Sequence, residues 1–286
     1  MTDELLCKEC GKPYEPQYYD IKGWLSSHIL IGDGKCPACA HLEGDEYEAQ
    51  EAREHLADIA KRRRARREKS GIPSRFMEQD FSTFKKGRGD GIDDALKHCI
   101  RYAEEYPLDV RPKSYRSLYI YSEQSWGVGK THLSCAIVHR VLDRWTGQRV
   151  MSSYGFEVES NCPTIKWVSE PQLFSKIEAS FNYTQEDKQI LPNKDDIINE
   201  LINCDLLILD DVGKEQRQDP RFIQRTLFAI INGRYDRDYP MLITANLKPS
   251  LLKKHLGASG TDEASYDRFV EMTHNKSVQI DGTSYR

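Results

Sequence analysis

Gly127-Val128-Gly129-Lys130-Thr131 puts two glycines, a lysine and a hydroxyl in the order that cradles a phosphate. Successive backbone N–H groups at a helix N-terminus form a concavity of partial positive charge. Lys130 then supplies a point charge to the β- and γ-phosphates, and the Thr131 hydroxyl a ligand for Mg²⁺. The expected nucleotide-contacting stretch is Ser125, Trp126, Gly127, Val128, Gly129, Lys130, Thr131 and His132. Gln124 stands where the full pattern has Gly, and the plain alternative is a chance Gly-Lys-Thr in a strand–turn–helix. A second set, Asp210-Asp211, closes the apolar run Leu206-Leu207-Ile208-Leu209. Asp210 suits Mg²⁺, and Asp211 suits polarising or orienting an attacking water. The bland reading of this set is a strand followed by a polar turn. A third run, Met241 to Ala245, ends in Asn246, a neutral polar side chain suited to sensing a γ-phosphate.

Four cysteines have metal-ligand spacing. Cys7-x-x-Cys10 and Cys36-x-x-Cys39 each present two thiolates from one tight turn, which is what a tetrahedral zinc site requires. The intervening segment, Gly11 to Lys35, is longer than the commonest ribbon spacing and carries Tyr14, Tyr18, Tyr19 and Trp24 around the expected metal. So short a region buries little, so Zn²⁺ is expected to hold it together. Disulfides are the rival; no signal peptide precedes the pairs, which favours zinc. His28 and His41 could substitute as ligands, but four cysteines leave no vacancy. A closed site of this kind is structural and does no catalysis. Cys99, Cys135, Cys162 and Cys204 are scattered, and none has a Cys/His catalytic context.

The elements that must position these groups follow from pattern. Ser117 to Tyr121, Leu206 to Leu209 and Met241 to Ala245 are near-continuous apolar runs, the signature of parallel strands buried on both faces. Side chains at the C-terminal ends of such strands line the ligand crevice of open α/β sheets. The spacing of Leu133, Ala136, Ile137, Val141 and Leu142 predicts a helix from His132 to Trp145 with one buried face. A strand at Thr164–Val168 and a helix at Pro171–Phe181 follow, with Met151 to Pro163 read as a loop insertion. Beyond Asn246 the pattern predicts helices at Pro249–Leu256 and Asp262–Thr273 and a strand at Ser277–Ile280, too little chain for a full helical lid.

The 286 residues fit one ordinary domain plus a small module. They are 30% charged and 38% hydrophobic, with a net charge of −4, so any nucleic-acid contact must come from a local patch. No apolar run is long enough to span a bilayer, and a cytoplasmic location is expected. Three regions are anticipated: a zinc module at 1–42, a charged helical linker at 43–70 and a catalytic domain at 71–286. In the linker, acidic Glu43 to Glu54 precedes basic Lys61 to Lys69, the order a helix dipole favours. It reads as a solvated helix, with contact to DNA or an acidic partner as the alternative. Ser70-Gly71-Ile72-Pro73 ends it.

Taken together, the P-loop, Leu-Leu-Ile-Leu-Asp-Asp, Ile-Asn-Gly-Arg-Tyr, Ile-Thr-Ala-Asn-Leu and a terminal Ser-Tyr-Arg resemble the AAA+ ATPases of the DnaC/DnaI helicase-loader family. The related IstB-type transposition ATPases share the pattern. The likeness runs from about Gly71 to Arg286 and opens with Gly71–Phe76 and Phe81–Phe84, similar to the segment that precedes the core in those proteins. It implies an α/β fold: a P-loop AAA+ core with a parallel sheet flanked by helices and no full lid, beside a zinc-ribbon-like module. It makes Asn246 the first sensor and Arg268 the finger that reaches a neighbour's nucleotide. Arg234 matches a structural or interface position, and Arg286 a second sensor. Lys176, Phe181 and Tyr183 fall where such proteins touch DNA, where charge can follow phosphates and rings can stack bases. Asp211 replaces the Glu of many AAA+ proteins, which implies slow turnover.

The function so implied is ATP-dependent loading of a replicative hexameric helicase. The amino-terminal module would dock the helicase, a homo-oligomer with inter-subunit ATP sites would grip single-stranded DNA, and hydrolysis would release the loader. The alternatives are an IstB-like ATPase that assembles on duplex DNA and recruits a transposase, and a nucleotide-gated adaptor with little hydrolysis.

Overall fold

The computed structural model describes residues 5–15, 18–20, 28–30, 34–108, 112–123, 126–152, 155–214, 220–257 and 264–284. Gln124, Ser125, Trp24 and Arg286 lie outside the described residues. Contacts divide the chain into Met1–Lys61 and Arg62–Arg286.

In the amino-terminal unit, β1 (Leu5–Leu6) pairs antiparallel with β2 (Pro13–Tyr14), and β3 (Tyr18–Asp20) with β4 (His28–Leu30). The second cysteine pair opens directly into α1 (Pro37–Glu68), which begins earlier than the charge pattern indicated.

The larger unit is built on a five-stranded, all-parallel sheet. Its order is β11 (Val278–Gln279), β5 (Leu118–Tyr121), β10 (Met241–Ala245), β9 (Leu206–Val212) and β8 (Ile165–Ser169). Every residue of β5 and β10 is buried, which is why these runs are mostly apolar and do not alternate, Thr244 being the buried polar exception in β10. Between β9 and β10 the register shifts: Ile243 pairs with Leu209, but Ala245 pairs with Val212. The step holds one extra residue on β9, a bulge at Asp210-Asp211, and Asp211 there takes a φ of 56°.

Helices cover both faces. Next to the P-loop, α2 (Asp90–Glu105) packs on α3 (Lys130–Arg144) through Ile92, Ala95, Leu96, Cys99, Tyr102 and Ala103, a helical spacing unremarked in the sequence. Between β8 and β9 come α4 (Glu170–Phe181), α5 (Asp187–Ile190) and α6 (Lys194–Asn203), and α7 (Pro220–Tyr235) joins β9 to β10. After β10, α8 (Pro249–Leu256) and α9 (Ala264–Met272) contact each other and α7. Within the described residues these two helices stand where a full lid would need more. Leu207, Leu209, Ile230, Ile231, Ile243, Leu252 and Phe269 form the heart of the core.

Two expectations change. Met151 to Pro163 is not simply a loop. Met151 closes β6 (Arg149–Met151), which pairs antiparallel with β7 (Glu157–Glu159), an exposed ribbon whose short strands give little periodic signal. Nor is the whole basic run solvated. Arg63 Nε donates to the Trp145 carbonyl at 2.7 Å, Arg62 pairs with Glu159 at 2.7 Å, and Arg67 pairs with Asp143 at 2.6 Å. The end of α1 is thereby fastened to the larger unit's core by arginines whose partners lie far away in sequence.

Candidate nucleotide-binding site

At the end of β5 the chain turns into α3, with Gly129 at the N-cap in a left-handed conformation (φ 110°). A Cβ there would lie 2.6 Å from the Phe84 ring, so only glycine fits this corner. Lys130 follows, nearly buried, and its Nζ donates to Ser122 Oγ at 2.6 Å and Asn246 Oδ1 at 2.5 Å. Burial lowers its pKa to about 8 against the opposing pull of Asp211 and Asp210. Lys130 and Asn246 are therefore brought together from β5–α3 and from the end of β10, as the strand-end pattern requires.

The Thr131 hydroxyl donates to Asp210 Oδ2 at 2.8 Å, while the Thr244 hydroxyl donates to Oδ1 at 2.7 Å. Asp210 is buried, and burial, reinforced by Asp211, raises its pKa to about 6. Its hydrogen bonds from Thr244 and Thr131 oppose the rise. A carboxylate beside a hydroxyl is a hard-oxygen donor set, and a divalent cation would relieve the burial of that charge, so Thr131 and Asp210 fit Mg²⁺. On the other side of the bulge, the Asp211 amide donates to Thr244 Oγ1 at 3.0 Å, and its carboxylate pairs with Lys214 at 2.6 Å. Thr244 thus holds both aspartates, one by its hydroxyl proton and the other by its oxygen.

A cleft of about 360 Å³ is lined by residues 126–132, by Asp211, Lys214 and Asn246, and by Arg75, Phe76 and Gln79. The last three come from the segment before the core, which α3 holds with two histidines. His132 Nε2 donates to the Asp80 carbonyl at 2.7 Å. Burial lowers its pKa, keeping it neutral in that tautomer. His139 Nε2 donates to the Phe76 carbonyl at 3.1 Å. The Arg75 guanidinium lies 4.6 Å from the Phe76 ring centroid, a flat charged and aromatic surface suited to a nucleobase.

No protein-family model matches the chain. Among solved structures it resembles the DnaC helicase loader at 17% identity and a TM-score of 0.53, covering 73% of this chain and 100% of that one. It resembles DnaI at 21% identity and a TM-score of 0.50, covering 76% of this chain and 95% of the other. A putative primosome component from Streptococcus pyogenes serotype M3 matches at 15% identity and a TM-score of 0.50, over 76% and 93% of the two chains. The larger unit shares the fold of the solved DnaC helicase loader and of DnaI.

Within that unit, Arg268 does not line the described cleft. It lies on α9 with its guanidinium over Phe228 at 5.4 Å and Tyr235 at 5.7 Å, and its Nη1 has no hydrogen-bond partner among the described residues. Arg234 is different: fully buried, it donates to the carbonyls of Leu201 (2.6 Å), Cys204 (2.9 Å) and Pro240 (2.5 Å). It pins the end of α6 to the start of β10 and is structural, with no surface to offer an interface. Lys176 is exposed, and Phe181 is exposed with its ring 6.2 Å from Phe222. Sequence reasoning missed Ser122, Thr244 and Lys214; Ser122 and Thr244, each a single hydroxyl near a strand end, were the only available signal.

In the amino-terminal unit, the Sγ atoms of Cys7, Cys10, Cys36 and Cys39 all lie within 4.8 Å of one another. Cys10 and Cys36 are 3.8 Å apart, close to the roughly 3.8 Å edge of a tetrahedron with metal–sulfur bonds of ~2.3 Å. Backbone N–H groups of Cys10 and Cys36 lower the Cys7 pKa to about 6, whereas hydrogen bonds shared with Cys36 and Cys10 push Cys39 up to about 12. Four thiols this close together fit a thiophilic cation such as Zn²⁺, which would close the unit without doing chemistry. No helix among the described residues is long and apolar enough to cross a membrane.

Proposed function

We propose that this chain is an ATP-dependent loader of a replicative helicase. The observation that carries the reading is the convergence of Lys130, Asn246, Thr131, Asp210 and Asp211 at the ends of β5, β9 and β10, on the fold of the DnaC helicase loader and of DnaI. In this reading residues 126–132 hold the triphosphate, with Ser125 beside them, and Lys130 and Asn246 face the γ-phosphate. Thr131 and Asp210 hold Mg²⁺, which neutralises phosphate charge. Asp211 orients the attacking water, accepting its proton once Lys214 has moved aside.

Completion of the site by a second copy follows from Arg268. Its guanidinium does not line the described cleft and its side chain is partly exposed, as expected of a group offered to a neighbouring subunit. Hydrolysis would then require side-by-side assembly. The zinc-held module at 1–42, with the helical segment 43–70, would dock the helicase. Lys176 and the exposed Phe181, with Tyr183, would contact single-stranded DNA on the core at 71–286. Arg286 remains a candidate second sensor. Location in the cytoplasm follows from this role.

The test is a binding experiment with purified full chain, Mg²⁺-ATP or Mg²⁺-ADP, and the hexameric replicative helicase of the same cell. A stable complex with ATP that dissociates on hydrolysis supports the reading. Nucleotide binding without helicase association, or tight binding to duplex over single-stranded DNA, refutes it and favours a transposition ATPase.

A further inference from the structure

Glu170 has no role in the chemistry above, yet it is a fully buried carboxylate. Burying such a charge is costly unless its partners are well placed. Here Oε2 accepts the Gly213 N–H at 2.7 Å, and Oε1 meets His255 Nε2 at 2.5 Å. Glu170 opens α4 directly after Ser169, the residue of β8 in register with Asp210. Gly213 lies two residues beyond Asp211, at a φ of 90°. A Cβ on Gly213 would lie 2.4 Å from Leu247 Cδ1, so the turn is clamped between the residue after Asn246 and the Glu170 carboxylate.

That clamp bears on Asp211. A non-glycine residue at φ 56° is held in a sparsely populated conformation and persists only when its surroundings over-determine it. Thr244 provides one hold, through the Asp211 amide. Glu170 provides another, through Gly213. His255 completes the link, because it lies on α8, which contacts the Arg268-bearing α9.

We infer that Glu170 and His255 are positioning residues that set the Asp211 carboxylate through the Gly213 amide and make its placement depend on α8. The inference rests on the reading of Asp211 as the residue that orients water. It gives the helices after β10 a direct path of three contacts to the hydrolytic side of the cleft.

The test uses the full chain with His255→Ala, His255→Gln and Glu170→Ala, each alone, and the Glu170→Ala/His255→Ala pair. Turnover of Mg²⁺-ATP, affinity for a fluorescent ATP analogue, and amide exchange over residues 211–213 are measured. His255→Ala should lower kcat on the order of 10- to 100-fold while nucleotide affinity stays within about twofold. His255→Gln, which restores an N–H donor, should recover most of the loss. The double variant should be no worse than Glu170→Ala, because both act along one path. Exchange at Gly213 should rise in both alanine variants. Unchanged kcat, or kcat and affinity falling together, overturns the inference. Asp211→Asn separates the two layers. If it leaves turnover intact, the reading of Asp211 fails and the inference with it. If it abolishes turnover while His255→Ala changes neither kcat nor exchange, only the positioning role fails.

Discussion

Nucleotide affinity should fall as pH rises through the titration of Lys130. The side chain is nearly buried, and that burial sets its pKa to about 8 in the nucleotide-free chain. Triphosphate beside Nζ would favour the ammonium and return the pKa toward the ordinary lysine range near 10.4. Above pH 8 the free protein has lost a proton that the complex holds, so binding takes up a proton and weakens with rising pH. With a free pKa of about 8, roughly nine-tenths of Lys130 is charged at about pH 7 and roughly one-tenth at about pH 9. The dissociation constant should therefore rise about tenfold over that range, or about 1.4 kcal/mol. The phosphate groups themselves stay ionised across it, their last pKa being near 6. Titration calorimetry with a non-hydrolysable ATP analogue, at fixed ionic strength and in buffers of different protonation enthalpy, measures both the affinity and the proton uptake. Lys130→Met should bind far more weakly and without the pH dependence. A wild-type constant that stays flat from about pH 7 to pH 9, with no proton uptake, would show that Lys130 remains charged and that the desolvation reasoning is wrong.

Four further outcomes are expected. Mg²⁺-dependent binding should weaken as pH falls below about 6, because the raised pKa of Asp210 keeps it protonated there; an Mg²⁺ titration at about pH 5 and pH 7 checks this, and equal affinities refute it. A chelator, or Cys36→Ser, should unfold the amino-terminal unit and release a single zinc per chain, while nucleotide affinity in the larger unit is kept; metal analysis with circular dichroism and the binding assay reads both. Arg234→Met should leave the carbonyls of Leu201, Cys204 and Pro240 without their donor and cost about 3–5 kcal/mol, seen as a fall in Tm on the order of 10 °C. Arg268→Ala should keep nucleotide affinity but remove assembly-stimulated turnover by about 10³-fold or more; stimulated rates like wild type would exclude it as the finger.

The three strands that end in chemistry were legible because their signal is local. The runs Leu118–Tyr121, Leu206–Leu209 and Met241–Ala245 are almost wholly apolar, and polar side chains follow each run next to it in the chain. The bulge at Asp210-Asp211 was not legible. It depends on Thr244, which belongs to another strand and which looks in sequence like any β-branched strand residue. Glu170 and His255 are 85 positions apart and individually unremarkable. The arginines of α1 illustrate the same limit. A basic run on a helix reads as solvated, and only the fold reveals that Arg63 faces the Trp145 carbonyl and Arg67 faces Asp143 and His139. Arg234 was legible as a special position, but its character was set by the burial of its whole guanidinium among carbonyls. The ribbon of β6 and β7 went unread because its strands are only three residues each.

The two aspartates of the bulge are held in ways that separate binding from turnover. Asp210 is buried and fixed by side-chain hydroxyls from three positions, Thr131, Thr244 and, at 3.4 Å, Ser134. Two of these donors lie on α3, so the Asp210 carboxylate, which on the proposed reading holds the cation, is fixed by the chain itself. Asp211 is partly exposed, its backbone is strained, and its carboxylate is engaged by Lys214. On the proposed reading, use of Asp211 on water must first break that partly exposed ion pair, and pairs near the surface are worth only about 1 kcal/mol or less. The barrier is small enough for phosphate charge near Lys214 to overcome. Its geometry is then left to the backbone holds at Thr244 and Gly213. On the proposed reading, a site whose binding half is pre-set and whose hydrolytic half is held by one ion pair and two backbone contacts would have the physical character of a switch, because a perturbation can reset the second half without loosening the first.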